Sequence, residues 1–480
     1  MSDLDPLLAR SRAAAAVAAA TPDADRARWL DAAADALDDH AAELVPLADD
    51  ETRLGTARLT GELARTTAQL RLFGGALREG SLLEATVDHA DPAAIPPHGD
   101  LRRLLVPLGV VAVFAASNFP FAFSVAGGDT ASALAVGCSV VVKVHEGHPI
   151  LSRRVAALLR EALDAAGAPA DLVTTVETQD DGIALVEHPV TAAVGFTGSV
   201  RGGRALFDRA VRRPVPIPFY GELGSLNPVV VTEAAAGARG AELAQGLAAS
   251  FTLGAGQFCT KPGVVFIPAG AFDGFTAAVS AAIPGTAATL LTDSIRAGFP
   301  RGVAELAGAR GVDVVSGDPA QDPASGGATP VLLATDVAAV LARPELLLEE
   351  CFGPVTLLVR YRGHSDLLAG IAAVPGSLTA TLHSEAGDDV GEVVAVLRER
   401  AGRLLFAGWP TGVAVTWSQQ HGGPYPATTS IHTSVGVTAA RRFQRPLAFQ
   451  DAPAAILPEA LRDGNPLGIV RRVDGVLGRA

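Results

Sequence analysis

Apolar residues along this chain follow two rhythms, and the change between them falls near residue 110. In the first stretch the spacing is helical. Leu30, Ala34, Leu37, Ala41 and Leu44 share one face, and Leu63, Thr67, Leu70 and Phe73 share another. Thr21-Pro22-Asp23 supplies a cap and a helix start. The alanine run from Ala13 to Ala20 follows Arg10 and Arg12 as a secretory leader would, but Asp3 and Asp5 break the basic flank. Alanine is the best helix former, so the run predicts an amphipathic first helix. Between residues 85 and 99, Asp88, Asp91, Pro92, Pro96, Pro97 and Gly99 predict a loop. The flanking runs Leu82–Val87 and Leu101–Val106 pattern as the two arms of a hairpin.

From Val110 the pattern becomes strand, helix, strand. Short apolar runs at Val110–Ala115, Ser139–Val144, Leu172–Val176 and Ala192–Phe196 predict buried strands. Helical stretches lie between and after them at Ser124–Val136, Pro149–Ala166, Gly182–Glu187 and Ser199–Val211. A second series opens with a strand at Pro228–Val231, a helix at Ala234–Leu253 and a strand at Val264–Ile267. Val331–Leu333, Val355–Val359 and Leu378–Leu382 continue it. Such alternation predicts parallel βαβ units, hence an α/β fold of two doubly wound domains with a cleft between them. The boundary falls close to Glu222–Gly224, and residues 421–450, rich in Gly, Pro, Thr and Ser, predict a loop-dominated closing segment.

Composition narrows the function classes. With 480 residues and 49% hydrophobic content, the chain is long enough for more than one core. A net charge of -13 argues against nucleic acid or an anionic membrane surface as partner. No window offers the ~20 apolar residues of a membrane span. The three cysteines, Cys138, Cys259 and Cys351, are too few and scattered for a disulfide framework or a zinc site, so no metal and a reducing cytoplasm are expected. Only two lysines occur, Lys143 and Lys261, which makes a lysine inside a motif informative.

Five short motifs carry candidate chemistry. Gly256-Gln257-Phe258-Cys259-Thr260 sets a thiol on a glycine-flanked turn before a buried strand. Tyr220-Gly221-Glu222-Leu223-Gly224-Ser225 frames one carboxylate with glycines, so a nucleophile and a base are both available. Asn118, in Ser117-Asn118-Phe119-Pro120, follows a strand end, where it suits either an oxyanion donor or a helix cap. Gly195-Phe196-Thr197-Gly198-Ser199-Val200-Arg201-Gly202-Gly203 runs strand, turn, helix without the G-x-G-x-x-G spacing, so a pyrophosphate site and an ordinary turn are both open. Glu349-Glu350-Cys351-Phe352-Gly353-Pro354 leads into a strand. Lys143 and Glu146 sit near another strand end, where an acidic residue binds ribose hydroxyls and repels a 2'-phosphate. Taken singly, each has an ordinary structural alternative: a turn carboxylate, a surface ion pair, or a core thiol, as Cys138 and Cys351 read.

Their order along the chain resembles the aldehyde dehydrogenase superfamily over nearly the full length. Phe406-Ala407-Gly408-Trp409-Pro410-Thr411-Gly412-Val413 and His421-Gly422-Gly423-Pro424-Tyr425-Pro426-Ala427-Thr428-Thr429 resemble its 2-oxoglutarate semialdehyde (2,5-dioxovalerate) dehydrogenase branch. The resemblance implies two Rossmann-like domains: residues 1–222 binding NAD(P), with an oligomerisation hairpin at about 82–106, and residues 223–420 catalytic. The segment 421–480 would return to the cofactor domain and an oligomer interface. It implies Cys259 as nucleophile, Asn118 as oxyanion donor and Glu222 as general base. Lys143, Glu146, Gly198, Ser199, Gly203, Leu223, Glu350 and Phe352 are then the cofactor residues, and Phe119, Phe258, Arg441 and Arg442 the substrate candidates. Glu146, with Asp180 and Asp181 nearby, leans the expected cofactor to NAD over NADP. A homodimer or homotetramer oxidising 2,5-dioxopentanoate is the implied enzyme. A broad-specificity or fatty-aldehyde dehydrogenase and a catalytically silent nucleotide-binding scaffold are the alternatives.

Overall fold

The computed structural model describes residues 4–321, 327–410 and 412–479; Asp3 and Thr411 lie outside them. Four helices open the chain, Leu4–Ala20, Asp23–Asp39, Ala41–Thr52 and Thr56–Glu79. Their inward faces carry Leu30, Ala34, Leu37, Leu63, Leu70 and Phe73, all buried in one core, as the helical spacing requires.

The strands that follow are β1 (Thr86–Asp88), β2 (Leu101–Pro107), β3 (Val110–Phe114), β4 (Ser139–Lys143), β5 (Val173–Val176), β6 (Thr191–Thr197) and β7 (Phe219–Glu222). β3 to β7 form a parallel sheet in the order β5-β4-β3-β6-β7. β3 is buried at every position, which explains its unbroken apolar run. The order winds outward from β3 to β5 and restarts on the other side of β3 with β6. Open α/β sheets bind ligands at the carboxyl ends of the strands flanking such a reversal. Ser117 and Asn118 follow β3, and Gly198 and Ser199 follow β6.

The second sheet contains β8 (Val229–Val231), β9 (Val264–Pro268), β10 (Asp313–Ser316), β11 (Val331–Asp336), β12 (Val355–Tyr361), β13 (Ser377–His383) and β14 (Ala401–Phe406). Its order is β10-β11-β12-β9-β8-β13-β14, parallel except for the edge strand β10. The closing segment is less irregular than its composition suggests. It contributes β15 (Gln444–Gln450), β16 (Arg471–Val473) and β17 (Val476–Gly478) to a third sheet, ordered β15-β2-β1-β16-β17. The predicted hairpin is therefore the centre of a five-stranded sheet whose other members come from the far end of the chain. Among the described residues no helix is long and apolar enough to cross a membrane.

Candidate active site

The thiol is placed by a loop with little freedom. After the helix Glu233–Thr252, Gly254, Ala255 and Gly256 all take left-handed conformations, with φ of 56°, 57° and 66°. A Cβ on Gly256 would lie 2.2 Å from the Gly353 carbonyl oxygen, so this loop runs directly against the backbone of residues 353–354. Buried Asn227, itself left-handed at φ 52°, ties the next residues down. Its Nδ2 donates to the carbonyls of Cys259 at 2.8 Å and Lys261 at 2.9 Å. Its Oδ1 accepts from Ser225 Oγ at 2.6 Å and from Thr379 N–H at 3.2 Å and Oγ1 at 3.1 Å. Lys261 is buried and donates to the Cys351 carbonyl at 2.8 Å and the Val355 carbonyl at 3.0 Å, a purely structural use of a rare residue.

Asn118 and Glu222 arrive from the first sheet. Asn118 is buried, and its Nδ2 donates to the Gln257 carbonyl at 2.9 Å, linking β3 to the thiol loop. An amide has two hydrogens, so one remains for a ligand oxygen. Glu222 is the last residue of β7, not part of a solvated turn, and is 3% exposed. The closing segment covers its strand: Leu223 N–H donates to the Ala427 carbonyl at 2.7 Å, and Thr429 N–H to Gly221 at 3.1 Å.

That same segment brings His421 and Ser434. Ser434 Oγ donates to Glu222 Oε2. His421 is fully buried, with Nε2 2.9 Å from Glu222 Oε1 and 3.6 Å from Cys259 Sγ. The nitrogen, sulfur and carboxylate atoms lie within 4.8 Å of one another. Burial pushes the Glu222 carboxyl up, but the charge of His421, the Ser434 hydroxyl and Arg442 outweigh it and hold the group below its ordinary value. Burial, then the charges of Glu222 and Glu350, push the Cys259 thiol well above its ordinary value, with Arg65 and Arg403 acting in the opposite direction. These surroundings thus favour the protonated thiol over the thiolate in this arrangement. Cys138 and Cys351 are each raised to about 11, chiefly by burial, and donate to the carbonyls of Phe443 and Phe299 respectively.

One cleft is lined by Asn118, Glu222 and Cys259 together with Gly198, Ser199, Leu223, Glu350 and Phe352. Ser199 caps the helix Val200–Arg212, accepting from Gly202 N–H at 3.2 Å, and the positive end of that helix opens at the strand reversal. A Cβ on Gly203 would meet Leu223 Cδ2 at 2.2 Å, so glycine is what lets this helix pack on its strand. Burial raises Glu350 to about 7, with Lys261 opposing. Lys143 ends β4, and Glu146 is exposed in the loop after it, the position from which a Rossmann sheet meets ribose. At the start of the helix Gln179–Glu187, Asp180 is exposed and Asp181 is half-buried, accepting from Thr178 Oγ1 at 2.6 Å. This donor set fits a dinucleotide: a helix N-terminus for pyrophosphate, polar groups for two riboses, and Phe352 as an apolar wall beside the thiol.

Phe119 and Phe258 stack edge-on at 5.4 Å beside the two catalytic loops. Arg441 and Arg442 do not line the cleft. Arg441 pairs with Glu84, and buried Arg442 pairs with Asp129 at 2.6 Å behind Glu222, so both guanidinium groups are committed elsewhere. The residues the sequence left without a role are His421, Ser434 and the arginines Arg58, Arg65 and Arg403. His421 stood in a motif already noted, and a histidine among glycines and prolines was the available signal.

A thiol, a buried carboxylate and an amide donor thus converge in one cleft beside a helix N-terminus. The family profile described as aldehyde dehydrogenase family matches residues 1–424, and the chain belongs to that family, whose members oxidise aldehydes with NAD or NADP. Within it, the chain is 46% identical over 466 residues to alpha-ketoglutaric semialdehyde dehydrogenase 2 of Azospirillum brasilense, covering 95% of this chain and 88% of the relative. Identity is 42% over 463 residues to alpha-ketoglutaric semialdehyde dehydrogenase of Acinetobacter baylyi, again covering 95% and 88%. The fold matches an aldehyde dehydrogenase C variant from Pseudomonas syringae complexed with NAD+ and octanal, with a TM-score of 0.78, 20% identity, and coverage of 94% and 90%.

Proposed function

We propose that this enzyme oxidises 2-oxoglutarate semialdehyde (2,5-dioxopentanoate) to 2-oxoglutarate by a hydrolytic route, using NAD in preference to NADP. The contact of Cys259 and Glu222 through His421 carries the reading, together with the two relatives named for that substrate. In the first half-reaction the Cys259 thiol releases its proton to solvent, and the sulfur adds to the aldehyde carbon. The new oxyanion is held by the free Asn118 N–H and the backbone N–H of Cys259, donors of a kind worth ~3 kcal/mol each in comparable sites. The dinucleotide that the cleft residues would hold would supply the hydride acceptor, and loss of hydride from the adduct would leave the acyl group on Cys259 as a thioester. In the second half-reaction Glu222 takes a proton from water, which attacks the thioester and frees the acid. A carboxylate kept ionised in a buried site suits that task and argues for hydrolysis over acyl transfer to coenzyme A.

Gly198, Ser199 and Gly203 hold the pyrophosphate turn in this reading. Lys143 and Glu146 take the adenosine ribose, Glu350 the nicotinamide ribose, and Leu223 and Phe352 line the ring pocket. The negative charge of Glu146, with Asp180 and Asp181, favours NAD. Residues 1–222 and 223–420 serve as cofactor and catalytic domains, residues 421–480 return to the former, and the sheet around the 82–106 hairpin joins subunits of a cytoplasmic dimer or tetramer. The Phe119, Phe123 and Phe258 rings favour a second reading, a broad-specificity aldehyde dehydrogenase. Steady-state rates without coenzyme A, on 2,5-dioxopentanoate, succinic semialdehyde and medium-chain aldehydes with both cofactors, separate the two. The highest kcat/KM is expected for 2,5-dioxopentanoate with NAD. A preference for octanal would establish the second reading, and no NADH from any substrate would remove both.

A further inference from the structure

We propose that Arg58, Arg65 and Arg403 form an anion subsite beside the two catalytic loops, which takes the carboxylate end of an ω-aldehyde acid. This rests on the substrate reading above and assigns the residues that enforce it.

The helix Thr56–Glu79 carries Arg58, Glu62 and Arg65 at spacings of four and three, one face of the helix, turned towards the two catalytic loops. The Arg58 guanidinium lies 5.0 Å from the Phe119 ring and 4.6 Å from the Phe258 ring, the neighbours of Asn118 and Cys259. Its Nη2 donates to the Asn118 carbonyl at 2.5 Å. Arg65 lies 5.6 Å from the Phe123 ring, and its Nε donates to the Val413 carbonyl at 3.0 Å. Arg403 projects from β14 and is half-buried. Each of the three keeps a buried nitrogen with no hydrogen-bond partner: Nη1 of Arg58, Nη1 of Arg65 and Nε of Arg403. Buried charged donors left unmade are costly, and one such group in a native site calls for an explanation. Three around one thiol fit a missing anion.

Glu62 does not supply it. Its Oε1 is occupied by the N–H groups of Phe121 at 2.8 Å and Ala122 at 3.0 Å, and its buried Oε2 makes no hydrogen bond, so neither oxygen is hydrogen-bonded to a guanidinium. Burial also raises its carboxyl, which weakens its charge against the arginines. Guanidinium groups suit a carboxylate because their planar fork matches its two oxygens. The aromatic rings beneath Arg58 and Arg65 fix the forks and line the path for the apolar middle of a short substrate. The subsite thus reconciles an aromatic entrance with an acidic substrate.

Two readouts test it. The first is the ratio of kcat/KM for 2,5-dioxopentanoate to that for pentanal, which has the same carbon count and no charge. Arg65→Leu is expected to lower that ratio about tenfold or more, with Arg65→Lys recovering part of it. A merely structural role would lower both rates together and leave the ratio fixed, which would overturn the proposal. The second is inhibition of pentanal oxidation by 2-oxoglutarate. Its inhibition constant is expected to rise about tenfold in Arg65→Leu and Arg403→Leu, and an unchanged constant in both would also overturn it. If the wild-type enzyme rejects 2,5-dioxopentanoate yet 2-oxoglutarate still inhibits through these arginines, the substrate assignment fails and the anion subsite stands.

Discussion

Replacing Asn227 by aspartate changes one atom pair and should disturb both stability and catalysis. The carboxamide nitrogen donates to the carbonyls of Cys259 and Lys261, while the oxygen accepts from Ser225 and Thr379. Asn227→Asp keeps the shape and the acceptor but removes both donors, setting a carboxylate oxygen against two buried carbonyls. Each buried acceptor left unpaired costs about 1–3 kcal/mol, so the loss is about 2–6 kcal/mol before any charge penalty. A single domain is stable by only about 5–15 kcal/mol. The thermal midpoint should therefore fall by at least about 4 °C, taking about 2 °C per kcal/mol for a large domain. Hydrogen exchange of residues 256–263 should accelerate more than that of β3, which Asn227 does not touch, and the NADH burst should slow. An unchanged midpoint with unchanged exchange across 256–263 would refute the view that this side chain holds the thiol loop.

Three further outcomes follow from the same geometry. Cys259→Ala should abolish NADH formation while calorimetry still detects NAD binding, and residual turnover would reassign the nucleophile. Glu222→Gln should slow steady turnover roughly 100-fold or more, the scale of general-base catalysis. It should also move the ascending limb of the burst-phase pH profile, where the thiolate forms, to lower pH. Its charge raises the Cys259 thiol, so neutralising it makes thiolate form earlier as pH rises; an unmoved or upward-shifted limb would contradict that coupling. Glu146→Thr should raise NADP use relative to NAD by roughly fivefold, from about 1 kcal/mol of relieved repulsion in water, and steady-state ratios measure it directly.

How much of this was legible in the sequence depends on what each residue does for the core. β3, β4 and β9 read clearly because both faces are buried and the run is unbroken. β7 did not, because a four-residue strand ending in Gly221-Glu222 carries no periodicity, and half its pairing comes from residues 427–429. β15 was hidden by Pro446 and by polar residues on an edge strand, where proline is tolerated. The site shows the same division. Cys259, Asn118 and Glu222 sit in short motifs whose order along the chain is distinctive. Arg58 and Arg65 lie in a helix whose visible pattern is the core stripe of Leu63, Leu70 and Phe73, and an arginine between such positions reads as solvated. Only the fold shows that this flank faces the loops carrying Asn118 and Cys259.

The reactive centre is assembled from positions 118, 222, 259 and 421–434, and the last of these is synthesised after the nucleophile. A ribosome that has released residue 259 has exposed a sulfur that still lacks the His421 contact and the cover that completes its chamber. Chains cut short before His421 should therefore fail quietly. They would carry the thiol with Asn118 and Glu222 but lack His421 and Ser434, and so would not scavenge aldehydes half-made.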